Sequence, residues 1–232
     1  MLFQYEYKIA IPKLKSNKSK AIMLAKKMLP EYVFDTAQME NNPLTFPEVK
    51  TLMDGITIGG HRISDVEQVI NIKKTWNLLL TDVANDNFCI SKDYFHKINK
   101  CIAKNEAIYS GRFRNGSVGI AGTLIYQAPN HKDLDAIFEH ELPIILADFP
   151  PIEQAIRLFL WATLNQFYWD GNKRTARIIA NGILLSAGIG IFNVKTRDIL
   201  ELNTLMVKFY DYHEADEIVR FLYEKAIETL AE

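Results

Sequence analysis

The residues QFYWDGNKRTAR, 166 to 177, gather an acid, a glycine turn and three cations within one short stretch. Asp170-Gly171 is a tight-turn signal, and residues 177 to 185, RIIANGILL, are apolar on nearly every side, so the turn feeds a buried helix. At such a helix start the N–H groups of Gly171, Asn172 and Lys173 lack intrahelical acceptors, and the helix dipole favours an anion there; phosphate is the natural guest. Arg174 and Arg177 stand at i and i+3, so both guanidinium groups can project from one side and hold neighbouring phosphates. Asp170 can bind a magnesium ion whose shell the phosphates complete. The plainer alternative is a glycine turn ahead of a charged helix start. The apolar helix behind the charges favours a pocket, because arginines on a buried element usually have anionic partners.

Helices must hold this turn. Apolar spacing predicts short helices over 18–29 and 31–40 separated by Pro30, then a turn at NNPLTFP and a helix over Phe46–Met53 opened at Thr45 with Pro47 in its first turn. After the loop DGITIGG, a longer helix is expected from Ser64 through Val83, with Ser64 and Glu67 at capping-box spacing and Val69, Trp76, Leu79 and Leu80 returning on one face. Ser91 to Ala103 reads as another helix. The texture then changes: GRFRNGSVGIAGTLIYQAP alternates in character around Asn115-Gly116, and a β-hairpin is the expectation. Helical periodicity returns over 132–147, 152–166, 173–187, 196–210 and 214–230. Residues 1 to 16 suggest one short strand or an extended arm ending near Pro12. The predicted class is all-α, a helical bundle with one hairpin, organised as an N-terminal segment (1–30) and a main domain (31–232).

Of the 232 residues, 48% are hydrophobic and 24% charged, enough to build a sizeable core. Twenty-seven basic residues nearly balance twenty-eight acidic ones, and the basic residues are not interleaved with aromatics, so nucleic acid is not an expected partner. Cys89 and Cys101 form no CxxC pair, which points to free thiols in a reducing cytoplasm. An export signal and a membrane-length apolar run are both missing from the sequence, and a cytoplasmic location is expected.

FYWDGNKRTAR resembles the signature of Fic-domain (Fido) proteins, HPFxxGNxRxxR, and the resemblance extends over roughly residues 33 to 190. It implies a helical bundle that transfers AMP from ATP to a hydroxyl of a target protein, with Mg2+: AMPylation by an adenylyltransferase. On that basis Asp170 would bind the metal, the turn Gly171, Asn172, Lys173 would hold the α-phosphate, and Arg174 and Arg177 the outer phosphates. The segment Val118, Gly119, Ile120, Ala121, Gly122 resembles the family's flap, which pairs with an extended target segment by strand addition. A hairpin closing an edge of the fold is its plainer alternative.

The upstream half of the signature departs from the pattern. Gln166 stands where the family has the histidine that takes a proton from the attacking hydroxyl, Phe167 stands for proline and Tyr168 for phenylalanine. An amide cannot accept a proton near neutral pH, so general-base catalysis is lost from this position. None of the five histidines lies in the motif. Residues 36 to 41, TAQMEN, resemble the family's inhibitory motif [ST]xxxE[GN]: Thr36 and Glu40 lie one helical turn apart, followed by Asn41, and the resemblance implies that Glu40 pairs with Arg177 and restrains ATP binding. A solvated helix end is the plainer alternative. Two functional readings follow, an impaired, autoinhibited adenylyltransferase and an inactive module binding nucleotide and protein. Removal of AMP with Glu40 positioning water is a third. A second copy of the chain is compatible with each.

Overall fold

Two consecutive helices, α7 (Pro151–Asn165) and α8 (Asn172–Ala187), are buried around nearly their whole circumference and form the centre of the molecule. Helices of that kind must be covered on every side. The computed structural model, which describes residues 1–10 and 15–230, covers them with α1 (Lys18–Lys27), α4 (Ile63–Ala84) and α5 (Lys92–Ile102) against α8, and α6 (Leu134–Leu146) against α7. Outside these, α2 (Leu29–Gln38) packs on α4 and on α3 (Phe46–Met53), while α9 (Ile199–Tyr212) packs on α10 (Asp216–Phe221). Among the described residues, no helix is long and apolar enough to cross a membrane.

Local chemistry explains most boundaries. Asn17 caps α1 by accepting from the Lys20 N–H, Ser91 caps α5 through the Tyr94 N–H, and Thr45 with Glu48 forms the capping box of α3. The break between the first two helices falls at Met28 rather than at Pro30. Proline lacks an N–H that the first helical turn would leave unused anyway, so Pro30 opens α2 instead of ending α1. The capping box expected at Ser64 is not formed: α4 begins at Ile63 with Arg62 as its cap and no side-chain bond.

The bundle is as the sequence predicts, but the expected hairpin over 111–129 is not a hairpin. That segment contains no paired strands and runs as an extended loop held by side chains. Among the described residues, the antiparallel pair is β1 (Gly190–Phe192) with β2 (Ile227–Thr229), in the register Gly190 to Thr229, Ile191 to Glu228 and Phe192 to Ile227. The helix expected over 214–230 therefore divides into α10, a π-turn over Leu222–Ala226, and β2. At the N-terminus, Gln4 bridges to Glu214 in parallel, and the N–H groups of Glu6 and Tyr7 donate to the Asp216 carboxylate at 2.8 and 2.6 Å. The expected end of that arm, near Pro12, lies outside the described residues.

Candidate functional site

The loop joining α7 to α8 is built around Asn172. Its side-chain Oδ1 accepts from the Tyr168 N–H at 2.9 Å, and its side-chain Nδ2 donates to the Tyr168 carbonyl at 2.8 Å and to Gln166 Oε1 at 3.0 Å. Asn99 of α5 braces the far side, donating to the Asp170 carbonyl at 3.0 Å and to the Thr175 hydroxyl at 3.2 Å. Gly171 takes φ 73°, and a Cβ there would lie 2.9 Å from that of Ala103, so both conformation and space demand glycine. Phe167 and Tyr168 anchor the loop in the core: Phe167 stacks on Phe113 at 5.0 Å, and the Tyr168 hydroxyl meets His96 Nδ1 at 3.0 Å. Burial pushes the Tyr168 phenol well above its ordinary range and the His96 imidazole below its own.

This loop forms one wall of a cavity of about 500 Å³. Gln166 and Trp169 through Lys173 line it, facing Met39, Glu40 and Asn41 beyond α2, Gly119, Ile120 and Ala121 of the extended loop, and Asn203, Met206, Val207 and Tyr210 of α9. The Asp170 side chain is 46% exposed, and its Oδ1 accepts from the Gly171 N–H at 2.5 Å and from Arg174 Nη2 at 3.1 Å. Because Asp170 takes the Gly171 N–H, the helix-start donors without intrahelical acceptors are those of Asn172, Lys173 and Arg174, one residue further along than the sequence suggests. Among the described residues, no three metal-ligating side chains cluster. A half-exposed lone carboxylate beside an anion-favouring helix start still fits magnesium, which keeps several waters and commonly binds one protein carboxylate together with substrate phosphates.

The two arginines lie behind the cavity rather than in its wall. Arg174, 2% exposed, directs Nη1 at both oxygens of Glu106, at 2.8 and 2.9 Å, and its Nε lies 3.7 Å from Glu40. Burial alone would lower its pKa; Glu40, Glu106 and Asp170 outweigh burial and raise it. Arg177 is buried, with Nη1 2.7 Å from the Met39 sulfur and Nη2 donating to the Thr36 hydroxyl. Burial lowers its guanidinium to about 10, with Asp35 and Glu40 opposing through space.

The expected pairing of Glu40 with Arg177 is thus replaced by an approach to Arg174. The reason is local: α2 ends at Gln38, so Glu40 leaves the helical face it would share with Thr36, and Asn41 follows in a left-handed conformation at φ 57°. Gln166, also left-handed at φ 46°, has both ends of its amide engaged, with Nε2 donating to the Thr163 carbonyl at 2.6 Å and Oε1 accepting from Asn172.

Of the flap residues, Gly119, Ile120 and Ala121 reach the cavity; Val118 and Gly122 flank them, and Gly122 at φ 86° lies against Val207 of α9. Arg114 ties this loop to the signature, with Nε, Nη1 and Nη2 donating to the carbonyls of Gln166, Gly116 and Pro129 at 2.6, 2.7 and 2.6 Å. Asp211 of α9 accepts the N–H groups of Leu124, Ile125 and Tyr126 at 3.0, 3.0 and 2.9 Å. Sequence reasoning missed Asn99, Glu106, Arg114, Asp211 and the α9 wall, since each acts through a contact distant in the chain. An arginine inside the glycine-rich stretch was the one available signal.

The profile of the Fic/DOC family matches residues 89–184, from just ahead of α5 to near the end of α8. Among curated proteins, the chain is 20% identical over 212 residues to the protein adenylyltransferase Fic of Aedes aegypti, covering 86% of this chain and 40% of that protein. It is 25% identical over 177 residues to the protein adenylyltransferase fic-1 of Caenorhabditis elegans, covering 72% and 34%. The chain therefore spans less than half the length of these relatives. Among solved structures, Fic-1 from Caenorhabditis elegans superposes with a TM-score of 0.72 at 21% identity, over 91% of this chain and 64% of that one. A Fic domain-containing signaling protein from Bacteroides thetaiotaomicron gives 0.66 at 19%, over 84% and 75%. These structural likenesses bear on the fold alone. Residues 89–184 thus carry the Fic/DOC profile, and the helical bundle around them has the fold of solved Fic proteins.

Proposed function

We propose that this chain is a Fic-type protein adenylyltransferase, moving AMP from ATP to a hydroxyl of a protein target, slowed by Gln166 and restrained by the carboxylates around Arg174. The observation that carries this reading is the cavity in which the start of α8, Asp170 and residues 119–121 face one another. The N–H groups of Asn172 and Lys173, with the Lys173 ammonium, would bind the phosphates, and Asp170 would hold magnesium, whose charge offsets that of the phosphates. Residues 119–121 would align the target backbone beside the cavity. Glu40 and Asn41 form the opposite rim and act as the restraint, with Thr36 buried behind them against Arg177.

Deprotonation of the incoming hydroxyl falls to no side chain of the loop. Gln166 cannot take the proton, and loss of a positioned base typically costs about 10²- to 10⁴-fold in rate. A second reading, an inactive module that binds nucleotide and protein, draws on the Gln166 amide being bonded at both ends, which makes it a structural brace. Labelled ATP, magnesium and cell lysate distinguish the two. Glu40→Gly should transfer label weakly, and Glu40→Gly with Gln166→His at least about a hundredfold faster. Equal, negligible transfer by all variants would favour the binding module, and failure of every variant to bind nucleotide would sink both readings.

A further inference from the structure

We infer that Glu106 is a second brake on the nucleotide site, occupying the Arg174 guanidinium that the phosphates would otherwise take. The inference rests on the nucleotide reading above. The cavity wall runs through Asp170 to Lys173 and then passes by Arg174. That side chain turns instead toward α5, where Nη1 touches both Glu106 oxygens at 2.8 and 2.9 Å and approaches the Ile102 carbonyl at 3.4 Å.

Glu106 is fixed for the task. It lies on the turn after α5, its N–H donating to the Ala103 carbonyl, and Gln68 of α4 donates to its Oε2 at 2.7 Å. Its 17% exposure is close to the 20% of Glu40, but its contact with Arg174 is nearly an ångström shorter than the 3.7 Å of Glu40. With Asp170 at 3.1 Å, three carboxylates surround one guanidinium, so an entering anion meets a cation already more than neutralised. Charge-assisted bonds of this geometry are the strong ones, so release of Arg174 requires Glu106 to be displaced or neutralised. Removing Glu40 alone leaves the closer carboxylate in place.

Calorimetry on the full chain tests this, titrating the β,γ-imido analogue of ATP with magnesium, and adenosine separately, into the unaltered protein, Glu106→Gln, Glu40→Gly and the double variant. Glutamine keeps the shape and the bond from Gln68. Glu106→Gln should tighten the analogue about tenfold and leave adenosine unchanged, because only phosphates compete for Arg174. Gln68→Ala, which loosens Glu106 while retaining its charge, should tighten the analogue by less and serves if Glu106→Gln melts below the assay temperature. Analogue affinity unchanged or weakened in these variants, while Glu40→Gly still binds it, overturns this inference alone and makes Glu106 a support for Arg174. Equal tightening of analogue and adenosine overturns it too, as general loosening. If no variant binds the analogue, the nucleotide reading falls and this inference with it.

Discussion

Arg177 carries its charge where no carboxylate reaches it directly: its guanidinium faces a thioether and a hydroxyl. Its folded pKa of about 10 lies below the ordinary guanidinium range, so the unfolded chain binds the proton more tightly and folding pays for burying the cation at every pH below about 10. That cost is relieved as pH rises from about 10 toward the ordinary guanidinium value. Arg177→Met should accordingly stabilise the fold by about 1–3 kcal/mol in urea denaturation at neutral pH, since well-packed apolar replacements of buried charges are often stabilising. A lower urea midpoint in that variant would show that Arg177 is better compensated than its contacts indicate. At this scale the sequence was partly legible. The turn at Asp170 to Lys173 declares itself through neighbours in the chain, and the structure keeps those residues together. The partners of the arginines do not, because Glu106, Met39 and Thr36 arrive from α2 and from the turn after α5.

At the level of elements, the loop over 111–129 shows how side chains can override a local signal. Asn115-Gly116 and alternating residues favour a hairpin by local propensity, yet Arg114 and Asp211 supply the backbone with bonds that a ladder would have provided. Burial alone would raise the Asp211 carboxyl, but the three N–H groups of Leu124, Ile125 and Tyr126 outweigh it and hold the pKa below its ordinary 3.8. A lowered folded value means that the restraint is complete above about pH 4 and is lost as pH falls through the lowered value. Asp211→Ala should speed hydrogen exchange at those three amides by about tenfold or more at neutral pH while leaving exchange in α7 and α8 unchanged. Unaltered exchange at 124–126 would mean that Asp211 does not hold the loop. The same bonds engage the backbone of 124–126, and the proposed function assigns docking to the neighbouring segment 118–122.

Across the whole molecule, the helical bundle could be read from periodicity because apolar residues recur at helical spacing in the central and outer helices alike. The C-terminal end could not, since β2 exists only where β1 meets it, and β1 is itself tied to α8 by Asn181, which bonds both the N–H and the carbonyl of Phe192 at 2.8 and 2.9 Å. Closeness of packing is likewise invisible in sequence. Gly182 admits the Phe88 ring so closely that an added Cβ would lie 2.1 Å from it. Gly182→Ala should cost about 1–3 kcal/mol through overpacking, and Phe88→Leu in the same chain should recover part of it. A neutral Gly182→Ala in thermal unfolding would show that the ring moves aside freely.

The left-handed backbone at Gln166 has a consequence for how such a site changes over time. Histidine is among the residues that tolerate this conformation, whereas β-branched residues are not. Codons for glutamine and histidine differ only in their third base. One nucleotide therefore separates this chain from one that presents an imidazole at the mouth of α8 on the same main chain, so a single base change offers or withdraws a proton acceptor here without rebuilding the core.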